Sequence, residues 1–233
     1  MIVFNGVQLE SVANVMVEDI RVNPIQYSPV VRARAIQFGS EFVRMRGGER
    51  KITINFAILE EDPVARREML TAVSQWARTD AEYKLELPQD PTRCLWCVCT
   101  SKPEPSTRQW WESKLRLVFT CFNNPFWTDK AEKSVACGTA FTVLGDAPPL
   151  MRIERTVSGS AAQNQTYSNG TQSMTFSSIP VGDMVIDLDA QTAAVGGSSI
   201  MSNYQASGSF IIPKTGTQTI TGTGTVKYRE RWE

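Results

Sequence analysis

The second half of the chain is cut into short apolar runs, "MTFSSI", "MVIDLD", "FIIP" and "TQTITGTGTVKYRERW", each bounded by turn-forming clusters such as "SNG", "VGD", "VGGSS" and "PKTG". Short runs between Gly, Pro, Asn and Ser pairs are the signature of many short antiparallel strands. From Thr156 to Gly182 no charged residue occurs, and Ser, Thr, Gly, Asn and Gln dominate. Disorder usually accompanies high net charge or a lack of β-branched and aromatic residues. Here the apolar runs keep returning, so residues 148–233 are read as a β-sandwich.

The first half has a different grammar. "ERKITINFAIL" places Ile52, Ile54, Phe56 and Ile58 on one parity and Lys51, Thr53 and Asn55 on the other, the period of a half-buried strand. Gly47-Gly48 before it offers a positive-φ hairpin turn, which makes "EFVRMR" the expected partner strand. Asp62 suits a helix N-cap and Pro63 the first helical position, and Leu70, Val73, Trp76 and Ala77 recur at spacings of three and four; a helix is expected over about 63–78. "YKLEL", "CLWCVC" and "KLRLVFTCF" read as three more strands, the last carrying Leu115, Leu117, Phe119 and Cys121 on one face. Asn124-Pro125 then stops the strand, and Phe126 and Trp127 are expected to fold back over the sheet edge. A division after Cys137 leaves residues 138–233 with only six of the 24 basic and seven of the 24 acidic side chains. The chain is thus expected to be mainly β in two domains: 1–137, an α+β sandwich with one helix and a protruding hairpin, and 138–233, a second β-sandwich.

Charge and residue usage remove whole classes of function. Basic and acidic residues are equal in number, so there is no net field to draw in nucleic acid or an acidic membrane surface. The absence of histidine excludes His-dependent triads, Cys-His pairs and His-containing zinc sites. The first residues lack a basic n-region and meet Glu10 before any long apolar run, so no secretory signal is expected. No stretch approaches the roughly 18 apolar residues of a membrane span. Synthesis in a cytosol, with the five cysteines reduced, follows.

Individual constellations are weighed against plainer readings. Cys94, Cys97 and Cys99 have no second thiolate pair at a matching interval, since Cys121 and Cys137 stand alone, so core packing is expected instead of a metal. Asp187 and Asp189 in "VIDLD" would lie about 7 Å apart on one face of a regular strand, a spacing open to calcium or glycosidase chemistry, although solvated carboxylates near a turn are commoner. Arg32 and Arg34, and Arg44 and Arg46, share parity within their strands and form a basic face, with Glu41 and Glu49 nearby to pair; a solvated or subunit-facing surface is favoured over nucleic-acid recognition. Trp110 and Trp111 are adjacent, so in a strand they face opposite ways and at least one is core. "NQT" and "NGT" at 164–166 and 169–171 match the glycosylation pattern, but nothing places the chain in a secretory route.

The order of these features resembles the distal tail protein (Dit) family of long-tailed, siphovirus-type bacteriophages. The likeness rests on the early "VFNG" with Phe4-Asn5-Gly6 and on a closure like F-x-C-x-x-P-x-W, here Phe119, Cys121, Pro125 and Trp127 with one extra residue in each of the last two gaps. It continues through "MVIDLDAQTAAVGG", "GSFIIPKTGTQTI" and the closing "KYRERW". The turn "PKTG" is looser than the family's Pro-Gly turn, and the carbohydrate-binding module inserted in some larger relatives is missing. The resemblance implies a homo-hexameric ring whose first domains form an annulus, while galectin-like second domains project outward. It further implies a place in the virion tail tip, assembled in the host cytoplasm, joining the tail tube protein to the tail-tip hub. Receptor-binding proteins would be the outer partners, and DNA would cross the channel without specific binding. The charged hairpin then gives Arg44, Arg46, Gly47 and Gly48 as the candidate subunit interface, with Phe119, Cys121, Pro125 and Trp127 as boundary residues. No catalytic residue, cofactor, metal or membrane anchor is expected. The alternatives are a carbohydrate-binding adhesion module and, more remotely, a hydrolase using Asp187 and Asp189.

Overall fold

The computed structural model describes residues 1–33, 40–46, 48–101, 106–109, 112–159, 163–205 and 208–233, with 28–33, 40–46, 106–109 and 112 described by backbone pairing alone. The chain divides into two compact units, 1–127 together with Glu233, and 128–232. The division therefore falls ahead of Cys137. The reason is local: the strand Lys133–Ala136 pairs residue for residue with Thr225–Tyr228 of the second unit.

The first unit opens with β1 (Val3–Phe4), β2 (Val7–Gln8) and a single-turn helix α1 (Leu9–Val12). It continues through β3 (Val15–Val22), β4 (Ser28–Ala33), β5 (Ser40–Arg46) and β6 (Arg50–Leu59) to the helix α2 (Pro63–Ala77). Four strands follow: β7 (Tyr83–Leu87), β8 (Asp90–Cys99), β9 (Ser106–Gln109) and β10 (Glu112–Cys121). Its spine is the β6–β10 ladder, in register from Glu112↔Leu59 to Cys121↔Arg50. β3 lines the other edge of β6. β8 meets β10 at Cys99 and Val98, then pairs with β7, which continues the order through β1 to β2.

The period-2 readings hold on this spine. Ile52, Ile54, Phe56, Ile58, Leu115, Leu117, Phe119 and Cys121 all enter one core, where Val73 and Ala77 of α2 join them. α2 begins where the sequence predicts: Asp62 accepts hydrogen bonds from the Val64 and Ala65 backbone N–H groups at 3.0 and 3.4 Å, and Pro63 takes the first position. The capping satisfies two donors that a helix start otherwise leaves open.

One predicted pairing is wrong. β5 does not pair with β6; it pairs with β4, from Ser28↔Arg46 to Ala33↔Ser40. Both edges of β6 are already taken by β3 and β10, so "EFVRMR" must leave the sheet with its own partner. Gly48 is accordingly not at the tip of that hairpin but at its base, between β5 and β6.

β11 (Trp127–Asp129) carries the chain into the second unit, made of β12 (Lys133–Ala136), β13 (Ala140–Val143), β14 (Ala147–Val157), β15 (Gln163–Ser168) and β16 (Ser173–Ile179). Next come β17 (Gly182–Asp187), β18 (Thr192–Val195), β19 (Ser198–Ser199), a 3-10 turn at Met201–Asn203, β20 (Gly216–Thr219) and β21 (Thr225–Trp232). Among the described residues the main sheet runs β19-β18-β17-β14-β21-β12. The pairs β13–β20 and β15–β16 supply the rest of the apolar wall, and Phe141, Tyr167, Phe176, Ile186, Ile211 and Val226 meet in one core. "FIIP" is not a strand. Phe210 and Ile211 are buried, yet the local backbone bonds go elsewhere, Ser209 N to Ser173 O at 2.9 Å and Ile212 N to the Gln172 side chain at 2.9 Å.

No helix among the described residues is long and apolar enough to cross a membrane. Replacing Asp62 with Ala removes the α2 cap and is expected to lower stability in urea unfolding by about 1 kcal/mol, with Asp62→Asn losing much less.

Candidate interaction surfaces

The two sequence features that open and close the first unit touch each other. Asn5 and Gly6 both take positive φ, 51° and 76°, the conformation of a two-residue hairpin turn in which Asn-Gly is favoured. That turn folds β1 against β2 and holds Phe4 in the core, edge-on to Phe119 at 4.9 Å between ring centroids and to Trp76 at 5.7 Å. The Trp76 indole N–H reaches the Val7 carbonyl at 3.0 Å.

Past Cys121 the strand is stopped by a carboxylate as well as by Pro125. Glu82 accepts from the backbone N–H groups of Phe122 and Asn123 at 2.7 and 3.1 Å and from the Asn123 side-chain amide at 3.0 Å. Sequence reading missed Glu82, which sits 40 residues away and has no motif to mark it. Pro125 is buried, and Trp127 is half-buried against the core of the first unit. Phe122 points outward with 48% of its surface exposed. The stretch "CFNNPFWTD" is therefore a strand terminator with one exposed aromatic.

The β4–β5 hairpin is an arm whose strands pair with each other and with no other strand among the described residues. Its root is fixed by Asn23 N to Lys51 O at 2.9 Å and Gln26 N to Glu49 O at 3.0 Å. Gly48 lies so close to this root that a Cβ there would sit 1.4 Å from the Gln26 carbonyl oxygen. Glycine is required by close approach, not by a positive φ. Arg44 and Arg46 lie on β5, opposite Val30 and Ser28 in the backbone register. Gly47, Arg34, Trp110 and Trp111 lie outside the described residues.

The second unit presents a shallow depression of about 860 Å³ on the face of its main sheet turned away from the core. Hydroxyls of Ser134, Thr156, Thr223 and Thr225 line it with Glu154, Asp183, Arg155 and Lys227, and none of the lining residues is aromatic. The charges beside it neutralise one another. Glu154 contacts Lys227 at 2.7 Å and Arg152 at 2.6 Å, and Arg152 contacts Glu132 at 2.7 Å. Hydrogen bonds from Lys227, then from Arg152, hold the Glu154 carboxyl below the usual range.

The remaining candidates have structural occupations. β17 ends at Asp187, whose Oδ1 accepts from the N–H groups of Asp189 and Ala190 at 3.0 and 2.9 Å. The two carboxylates therefore do not share one strand face; Asp189 instead meets Arg231 at 3.1 Å. Asn164 accepts from Ser178 N and Asn169 caps the turn through Thr171 N and Gln172 N, so both asparagine side chains hold β15–β16. None of the five cysteines is in a disulfide, and Cys94, Cys97 and Cys121 are buried. Among the described residues no group of three or more Cys, Asp or Glu is placed to hold a metal ion.

The class defined by this architecture is a two-unit, mostly β chain with one capped helix and a hairpin whose strands, among the described residues, pair only with each other. No protein-family model matches the sequence, and no curated protein does. Solved structures do. The SPP1 Dit (gp 19.1) protein, described as a paradigm of the hub adsorption apparatus in phages infecting Gram-positive bacteria, aligns with a TM-score of 0.77 at 14% identity over 100% of this chain and 98% of its own. A chain of the phage P2 baseplate in its activated conformation with Ca aligns with a TM-score of 0.51 at 8% identity over 93% and 90%. This chain has a Dit-like fold over its whole length.

Gly48→Ala is expected to force open the arm root and to lower stability by about 1–3 kcal/mol, an overpacking effect, with faster amide exchange at Gln26. Trp127→Ala is expected to lower stability by about 2 kcal/mol, less than the roughly 3–5 kcal/mol of a fully buried aromatic.

Proposed function

We propose that this chain is a structural component of a phage tail tip or baseplate, forming a hexameric ring that joins the tail tube to the tail-tip hub. The observation that carries the reading is the full-length Dit-like fold, which spans both units and covers 100% of this chain and 98% of the Dit chain. The first unit forms the annulus and the second, a galectin-like sandwich, projects outward and anchors receptor-binding proteins. The reading is of a non-catalytic chain, and it is supported by Asp187 and Asp189, the acids that the sequence offered for chemistry, being engaged in a turn and with Arg231.

The arm supports a ring because a two-stranded hairpin is at best marginally stable alone in water. A neighbouring copy that packs on it supplies what the fold of one copy does not. Such a head-to-tail contact uses two different surfaces on each copy and closes into a ring when the rotation permits. Arg44, Arg46, Gly47 and Gly48 are accordingly the interface on the giving side. The balanced charge of the sequence suits a channel through which DNA passes without being held, since each basic contact adds salt-dependent affinity for phosphate.

A carbohydrate-binding reading draws on the polar depression of the second unit. The lack of an aromatic ring in its lining and the mutual pairing of its charges weigh against it. Saccharide titration by calorimetry is expected to show no saturable heat.

In sedimentation-velocity ultracentrifugation the wild-type protein is expected to reach a species of six copies as concentration rises. The double exchange Arg44→Glu, Arg46→Glu is expected to shift it to monomer with an unchanged melting curve. A stable dimer, or a six-copy species indifferent to the exchange, contradicts the interface.

A further inference from the structure

Two cysteines of the first unit stand opposite one another across β8 and β10. The ladder pairs Phe119 with Cys99 and Thr120 with Val98, so the next opposed positions are Cys121 and Cys97. Thr100 N donates to Val118 O at 2.8 Å, which makes 100/118 a hydrogen-bonded pair. Alternation along an antiparallel ladder then makes 97/121 a non-hydrogen-bonded pair, in which Cα atoms approach to about 4.5 Å and same-face side chains are closest. Both side chains are fully buried and belong to one core. Burial, and then the hydrogen bond with Cys121, raise the Cys97 thiol well above its ordinary pKa. The other cysteines are placed differently. Cys99 is opposite Phe119, Cys94 lies on the other parity of β8, and Cys137 is in the second unit.

We propose that Cys97 and Cys121 form a cross-strand dithiol that closes to an intramolecular disulfide when the chain folds in an oxidising thiol buffer, tying β8 to the last residue of β10. The expected Cα separation falls within the roughly 4.4–6.8 Å that disulfides span, so neither strand has to move. The oxidant is a low-molecular-weight disulfide such as oxidised glutathione. One cysteine thiolate attacks it, forming a mixed disulfide and releasing one glutathione thiolate; the second cysteine thiolate attacks the protein sulfur of that mixed disulfide and releases the other. Two S–H bonds are lost, one protein S–S bond forms, and one oxidised glutathione becomes two reduced molecules. The closed core shields both sulfurs and favours their protonated forms, so the exchange runs while the core is open, during folding or transient opening. In a reducing cytosol the pair stays open. Once formed, the bond clamps the strand end from which the junction segment 122–127 departs. This inference is independent of the ring.

The test is refolding of the full-length chain from denaturant with oxidised and reduced glutathione, followed by alkylation and mass spectrometry. The number of alkylatable thiols is expected to fall from five to three, and the tryptic peptides 94–108 and 117–130 are expected to be joined, with fragmentation placing the bond at Cys97 and Cys121. Cys97→Ser and Cys121→Ser each abolish the link, while Cys94→Ser retains it. The oxidised chain melts higher, and dithiothreitol removes the gain. Five alkylatable thiols after oxidative refolding, or a bond to Cys94 or Cys99 instead, overturns the proposal. The wild-type peptide map decides the matter even where a Ser variant fails to fold.

Discussion

The ladder between β6 and β10 is the constraint from which the rest of the first unit follows. Its register places alternate residues of two ten-residue strands on a single face, and a slip of one residue would turn every one of those side chains to the opposite side. With the register fixed, the apolar face accepts α2 and the β1–β2 turn, and Phe119 has Phe4 and Trp76 as edge-on neighbours. Each such aromatic contact adds roughly 0.5–1.5 kcal/mol beyond its buried area. Both edges of β6 are then occupied, and this alone expels β4 and β5 as an arm. A feature that looks like an appendage is a consequence of the sheet order.

The second unit solves a different problem with a different composition. Its strands are short and poor in charge, so the core is assembled from many small contributions, including Phe210 and Ile211, which lie outside any strand. On the outer face of the main sheet, Glu132, Arg152, Glu154 and Lys227 are each half of at least one ion pair. Pairs this exposed contribute little stability, but they leave no net field on the sheet. A partner for this unit would have to be read by shape and hydrogen bonding more than by charge.

Where the chemistry was local, the sequence was legible. The Asp62–Pro63 cap, the alternation in β6 and β10 and the Asn124–Pro125 stop each involve neighbours within a few residues, and each is found where expected. The misreadings share a cause. Assigning β5 to β6 through Gly47-Gly48 treated two glycines as a turn, whereas at least Gly48 is there because the Gln26 carbonyl leaves no room for a side chain. "FIIP" has strand composition, but its backbone partners lie near residue 173, far away in sequence. Glu82 closes the junction from 40 residues upstream and carries no motif. Strand partnership and close approach are properties of the assembled sheet, which a single sequence does not encode in any short window.

The proposal of a tail-tip building block rests on the Dit-like fold, with the β4–β5 arm and the charge-paired outer sheet as its supporting features. Location in the particle tests that claim most directly. Antibodies against residues 128–232, detected with gold in negatively stained tailed particles from a lysate of the cells that carry the gene, should label the end of the tail distal to the head. Label confined to the head, or purified particles that lack the chain altogether, would contradict the account.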